Sequence, residues 1–258
     1  MSSPAPLLDF FRRGEAAREV RLLAAQGALA PRAHEQLGIL ILLVDDRDQE
    51  IRDTAMHTLD RIPVEALRAY LGRSDVAVGV REFFGNRGVF PAEMPAITAD
   101  DPLFDVTADT AGQEADAAEE DTDDTLLQKL QKMNITDRMK AAMRGSRDVR
   151  AVLIRDPNKI VAAAVLSSPK VNQSEVEQFT KMGNVSEDVL RIIGMNRSWV
   201  KNYGVALGLC KNPKTPPALS MHLISRLTEK DLKMLANDRN AKEVLRLMAK
   251  KLMAKGKH

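Results

Sequence analysis

Val161-Ala162-Ala163-Ala164-Val165-Leu166-Ser167-Ser168-Pro169-Lys170 returns 44 residues later as Val205-Ala206-Leu207-Gly208-Leu209-Cys210-Lys211-Asn212-Pro213-Lys214. The first two and last two residues are identical. The six between them keep small or apolar against apolar and polar against polar. Further along, Ser186-Glu187-Asp188-Val189 falls on Glu229-Lys230-Asp231-Leu232, and Ile192 on Leu235, at an offset of 43. Val200 falls on Val244, again at 44. The repeated text is rich in Ala, Leu and Val and has no strict alternation, so it predicts helices. A unit of two or three helices every 40–47 residues or so is the period of a stacked helical array.

The first half carries a related signature. Asp48-Gln49-Glu50-Ile51-Arg52-Asp53-Thr54-Ala55-Met56 has an acidic start, then Ile-Arg, then Ala at helical spacing. Asp156-Pro157-Asn158-Lys159-Ile160 and Asn196-Arg197-Ser198-Trp199-Val200-Lys201 read as variants of it. On these residues the chain resembles HEAT-like, armadillo-type α-solenoid proteins over about 15–87 and 127–252, and among them uncharacterised bacterial HEAT-like proteins. The resemblance implies stacked helical hairpins and a binding surface, and it carries no activity.

Helical periodicity places further elements around the repeat. Candidate helices cover 15–26, a segment beginning near Pro31 and buried through Leu37–Val44, then 50–62, 64–71 and 76–84. Asp45-Asp46-Arg47-Asp48 reads as an interhelical turn with a capping Asp rather than a Ca²⁺ loop. Between about 89 and 124 the pattern fails. Pro91, Pro95 and Pro102 fall in it, and its run 100–124 has 11 acids and no Lys or Arg. Such a stretch has too little apolar surface to offset the entropy of ordering it, so a disordered acidic linker is expected. The predicted fold is all-α, with HEAT-like repeats in two blocks, 1–88 and 125–258, joined by the linker 89–124.

Charge follows the same division. Every Lys lies at or beyond Lys129. Residues 126–258 hold 26 Lys and Arg against 11 acids, while 1–125 hold 12 Arg against 25 acids. The chain's net charge of +2 conceals blocks of +15 and −13. Asymmetry of this kind points to an anionic partner, or to an internal acidic segment that imitates one.

The chemistry-bearing residues are sparse. No nucleophile elbow, phosphate loop, dinucleotide fingerprint or zincin helix is present. The histidines, His34, His57, His222 and His258, are at least 23 residues apart and form no local metal pair. The lone Cys210 sits among apolar residues and reads as a buried, inert thiol. No enzymatic activity, cofactor or metal is expected. The N-terminus lacks a basic region followed by an apolar core, so no signal peptide is expected. The longest apolar runs are too short to span a bilayer, and a cytoplasmic protein is the expectation.

Two features remain. One is 196–203, where Arg197, Trp199, Lys201 and Tyr203 gather types enriched at binding surfaces. Aligning Val200 with Ile51 sets Trp199 opposite Glu50, a solvent-facing position; the alternative is that Trp199 packs between repeats. The other is the C-terminal helix 241–254, with Val244, Met248 and Leu252 along one face and Lys or Arg on the others. It reads as a docked terminal helix more than as a basic amphipathic membrane helix. The leading expectation is a non-enzymatic scaffold or adaptor for a protein partner. The alternative is nucleic-acid or other polyanion binding by the basic block, with Arg147, Arg150, Lys159, Arg197, Lys201 and Lys211 on one face. A third possibility has the acidic linker modulating that binding.

Overall fold

Apolar residues at helical spacing need partners, and the chain supplies them by turning repeatedly. The computed structural model describes residues 5–29, 31–93, 102–103 and 123–255. Among them the chain forms seventeen α-helices, one 3-10 turn and no strand. The helices are α1 (Pro6–Arg12), α2 (Arg18–Ala25), α3 (Ala33–Leu43), α4 (Gln49–Asp60), α5 (Val64–Leu71), α6 (Val78–Gly85), α7 (Asp123–Lys132), α8 (Ile135–Arg144), α9 (Arg147–Leu153) and α10 (Lys159–Ser167). They continue with α11 (Gln173–Lys181), α12 (Glu187–Met195), α13 (Arg197–Val200), α14 (Tyr203–Lys211), α15 (Pro217–Leu223), α16 (Glu229–Asn237) and α17 (Glu243–Lys255). The all-α class is as the periodicity predicts. Helix α1 escaped the sequence reading, although Leu7, Leu8, Phe10 and Phe11, all buried, share one helical face behind a first-turn proline.

The contacts divide the chain into two units, one of Met1–Leu153 with Ile160–Lys170, the other of Ile154–Lys159 with Val171–His258. This differs from the expected blocks 1–88 and 125–258. Hydrogen bonds explain why α8 to α10 side with the N-terminal helices. Arg144 donates to the Ala28 carbonyl at 2.9 Å, the Arg32 amide to the Ser167 carbonyl at 3.4 Å, and Arg32 Nη1 to the Leu166 carbonyl at 3.5 Å. Helix α10 is buried all round from Ile160 to Ser167, as an apolar helix at the centre of a unit must be. Most of the expected linker lies outside the described residues. Leu103, within it, is buried, and its amide donates to Gln36 Oε1 at 2.7 Å. At that point the chain is held against α3.

In the first unit the Asp-rich turn is built as expected. Asp48 caps α4 by accepting the Glu50 amide, Asp46 Oδ1 accepts the Asp48 amide at 2.9 Å, and Arg52 donates to the Asp46 carbonyl at 2.7 Å. Asp46, Asp48 and Arg52 are therefore occupied in shaping a corner.

In the second unit α14 meets α11 through two glycines. A Cβ at Gly208 would lie 2.0 Å from Thr180 Oγ1, and one at Gly204 would lie 2.3 Å from Glu177 Cδ. At Gly208 only a bare backbone permits this approach, whereas at Gly204 the atoms in the way are the end of a flexible side chain. Asn212 fastens the same pair, donating to the carbonyls of Thr180 at 2.9 Å and Met182 at 3.0 Å and accepting the Lys214 amide at 3.0 Å. Ser168, 44 residues earlier, plays the same part in the first unit: its hydroxyl donates to the Met143 carbonyl at 2.8 Å and accepts the Lys170 amide at 3.3 Å. Helices α10 and α14 begin and end 44 residues apart.

Two sequence registers need correction. The caps of α12 and α16, Ser186 and Thr228, stand 42 residues apart, not 43. The buried residues then pair as Leu190 with Leu232 and Ile193 with Leu235. On α17 the buried residues are Leu245 and Ala249, one residue off the expected Val244–Met248–Leu252 face, and Val244 is 52% exposed. Small Ala249 on the inner face lets the helix dock, and apolar residues on several sides blurred the pattern.

Candidate binding surface

Asn196 and Asn202 bracket the four-residue helix α13. Asn196 Oδ1 accepts the amides of Ser198 at 2.9 Å and Trp199 at 3.3 Å, and Asn202 Oδ1 accepts that of Gly204 at 2.7 Å. Arg226 closes the far end, donating to the carbonyls of Val200 at 2.7 Å and Lys201 at 3.3 Å. Trp199 is only 7% exposed, so it is not a solvent-facing anchor. The alignment on α4 misled because α13 is a single turn between two caps, and the face periodicity of a twelve-residue helix does not carry over to it.

Arg197, Lys201 and Tyr203 are exposed around this buried Trp. The Tyr203 hydroxyl donates to Asp231 Oδ2 and accepts the Thr228 amide at 3.1 Å, and Thr228 Oγ1 donates to Asp231 Oδ2 at 2.8 Å. The Tyr203 hydrogen bond, joined by Thr228, Lys211 and Lys230, holds the Asp231 carboxyl below its usual range. Lys211 and Lys230 act on the Asp231 carboxylate that Tyr203 and Thr228 engage, and Arg226 is tied to the end of the neighbouring short helix at Lys201. Beside it the outer face of α16 presents Lys230, Lys233, Met234 and Asn237 at helical spacing, lining with Asp238 a shallow hollow of about 440 Å³. Met234 is exposed.

The remaining sequence candidates lie elsewhere. Lys159 pairs with Asp188 at 2.7 Å. Arg147 and Arg150 belong to the first unit. Arg150 is buried, donating to the Gly145 carbonyl at 2.8 Å, so it braces a turn and offers nothing to a partner. Arg226, Lys230, Lys233 and Met234 were not singled out from the sequence; their only signal is the i, i+3, i+4 placement of three of them on one helix.

Charge is unevenly distributed along the second unit. Its ion pairs include those of Lys159 with Asp188, Lys181 with Glu177, and Arg191 with Glu187 and Asp188. Residues 196–258 then carry 14 Lys and Arg against 4 Asp and Glu. Among the described residues no group of three or more His, Cys, Asp or Glu could hold a metal ion, and no helix is long and apolar enough to cross a membrane. Comparison of the chain with protein-family models, with curated proteins and with solved structures finds no match.

Proposed function

We propose that the chain is a HEAT-like adaptor that binds an acidic segment of a protein partner across α13 to α16. The observation that carries this reading is the placement of Lys211 and Lys230 beside the Tyr203–Asp231 pair, with Lys230 and Lys233 lining one hollow with exposed Met234. Ammonium groups near an exposed tyrosine and a thioether suit a ligand with carboxylates set beside apolar side chains. The matched helices α10 and α14, with Ser168 and Asn212 in the same role at their ends, support the repeat reading.

The same cations would attract a phosphate backbone, and the test separates the two ligands. A fluorescent peptide alternating Glu with Leu, and a duplex oligonucleotide of similar charge, are titrated into the full chain at low and physiological salt. The adaptor reading expects the peptide to bind and to retain affinity at physiological salt through its leucines. It expects Lys230→Glu with Lys233→Glu to weaken binding by tenfold or more, roughly the effect of like charges at an interface. Oligonucleotide binding with a steep salt slope and no peptide binding overturns it in favour of a nucleic-acid ligand.

A further inference from the structure

Helix α1 brings four large apolar residues onto the first unit, yet its own N-terminus has no side-chain cap, because Ala5 precedes it. The cap comes from α3. Glu35 Oε1 accepts the amides of Leu7 at 2.8 Å and Leu8 at 3.4 Å. Three residues further along α3, a Cβ on Gly38 would lie 2.7 Å from Leu8 Cδ2, so the two helices are in close contact there. Glu35 has no exposed surface, and its second oxygen lacks a well-formed hydrogen bond. Ser167 Oγ, itself fully buried, comes up against the carboxyl from α10 without completing one. Arg32, on the turn before α3, is the cation whose field reaches it. From α1 the carboxyl meets only backbone amides among the described residues.

A buried carboxyl in such a place disfavours its own ionisation, since the charge would lose its water and gain too few donors in return. From this cluster we infer that α1 is held on α3 by a protonation-dependent clamp at Glu35, docked tightly in weakly acidic solution and loosened at neutral pH and above. Desolvation outweighs the opposing effects of Ser167, the two amides and Arg32, and raises the Glu35 pKa from near 4.5 to about 7. When α1 lifts away, Glu35 meets water and returns towards its ordinary value. The docked form thus binds the proton more tightly than the open form. Docking is strongest below pH 4.5, weakens as the pH climbs to about 7, and levels off above it. The open state exposes Leu7, Leu8, Phe10 and Phe11.

Hydrogen exchange on the full chain tests the clamp, read as protection of 6–12 relative to 49–60 and corrected for the intrinsic rate at each pH. Between pH 5 and pH 8 the protection of α1 should fall by about two orders of magnitude at most, the span set by the pKa difference, while α4 holds. Glu35→Gln keeps an acceptor for both amides and cannot titrate, so its α1 protection should stay level. Ser167→Ala removes a group that favours the carboxylate in the docked form, so the fall should continue to higher pH before it levels off. The clamp is overturned if wild-type α1 protection is flat, or if Glu35→Gln shows the same fall. Should Glu35→Gln fail to fold, an unshifted profile in Ser167→Ala overturns it instead.

Discussion

At position 208 the absence of a side chain decides how closely two helices meet. Gly208→Ala would drive a methyl into Thr180, whose Cβ stands 2.9 Å from the new atom and whose side chain is buried. The expected loss is about 1–3 kcal/mol in chemical denaturation, the usual cost of overpacking. At Gly204 the obstacle is the carboxylate tip of half-buried Glu177, which can swing aside. Gly204→Ala should stay within about 0.5 kcal/mol of the parent. Trp199→Ala should cost about 3 kcal/mol, since the indole is buried, whereas Lys201→Ala should leave stability unchanged within about 0.5 kcal/mol. Cys210 is fully buried, and burial pushes its thiol up to about 12. It should resist thiol reagents in the native state and react only on unfolding. Of these residues the sequence revealed the apolar setting of Cys210, and the burial of Trp199 only as one of two readings. The roles of Gly208 and Trp199 depend on neighbours that local text does not name: Thr180 is 28 residues from Gly208.

Helices were legible where their own residues specify them. Asp48 reads as a cap from its place before an apolar-periodic run, and it caps α4. Helix α5 falls on the predicted residues, 64–71. Register was less legible. Val189 and Leu190 are adjacent apolar residues, both buried, so a similarity match could settle on either; the hydroxyl caps Ser186 and Thr228 fix the offset at 42. Corners that hold two elements together carry more stability than caps that hold one. Asn212→Ala should cost about 2 kcal/mol, because it leaves the Thr180 and Met182 carbonyls without their donor in a buried place. Asn172→Ala, at the capping box of α11, where Asn172 itself is exposed, should cost about 1 kcal/mol. Urea midpoints of the two variants, compared at unchanged m-value, check the order.

On the scale of the whole molecule the chain has one tryptophan, and it lies in the second unit. Trp emission therefore follows that unit, while far-UV circular dichroism follows both. Raising the pH from 5 to 7.5 should destabilise the first unit, where Glu35 binds its proton more tightly folded than unfolded, and shift the dichroism curve to lower urea. The Trp199 transition should move far less; equal movement of both curves would assign the effect to something other than Glu35. The sequence displayed the sorting of charge plainly, but not its geometry, because Arg150 and Lys159 look identical in text to cations that are free. The corners of the fold also bear on its kinetics. Asp46, Asp156, Asn196, Asn212 and Asp238 each accept the amide two residues ahead. A chain that closes its bends over so few residues has little loop entropy to overcome before helices meet, which lowers its contact order. Refolding should run fast for a protein of this length, with the local bends formed long before distant pairs such as α11 and α14 find each other.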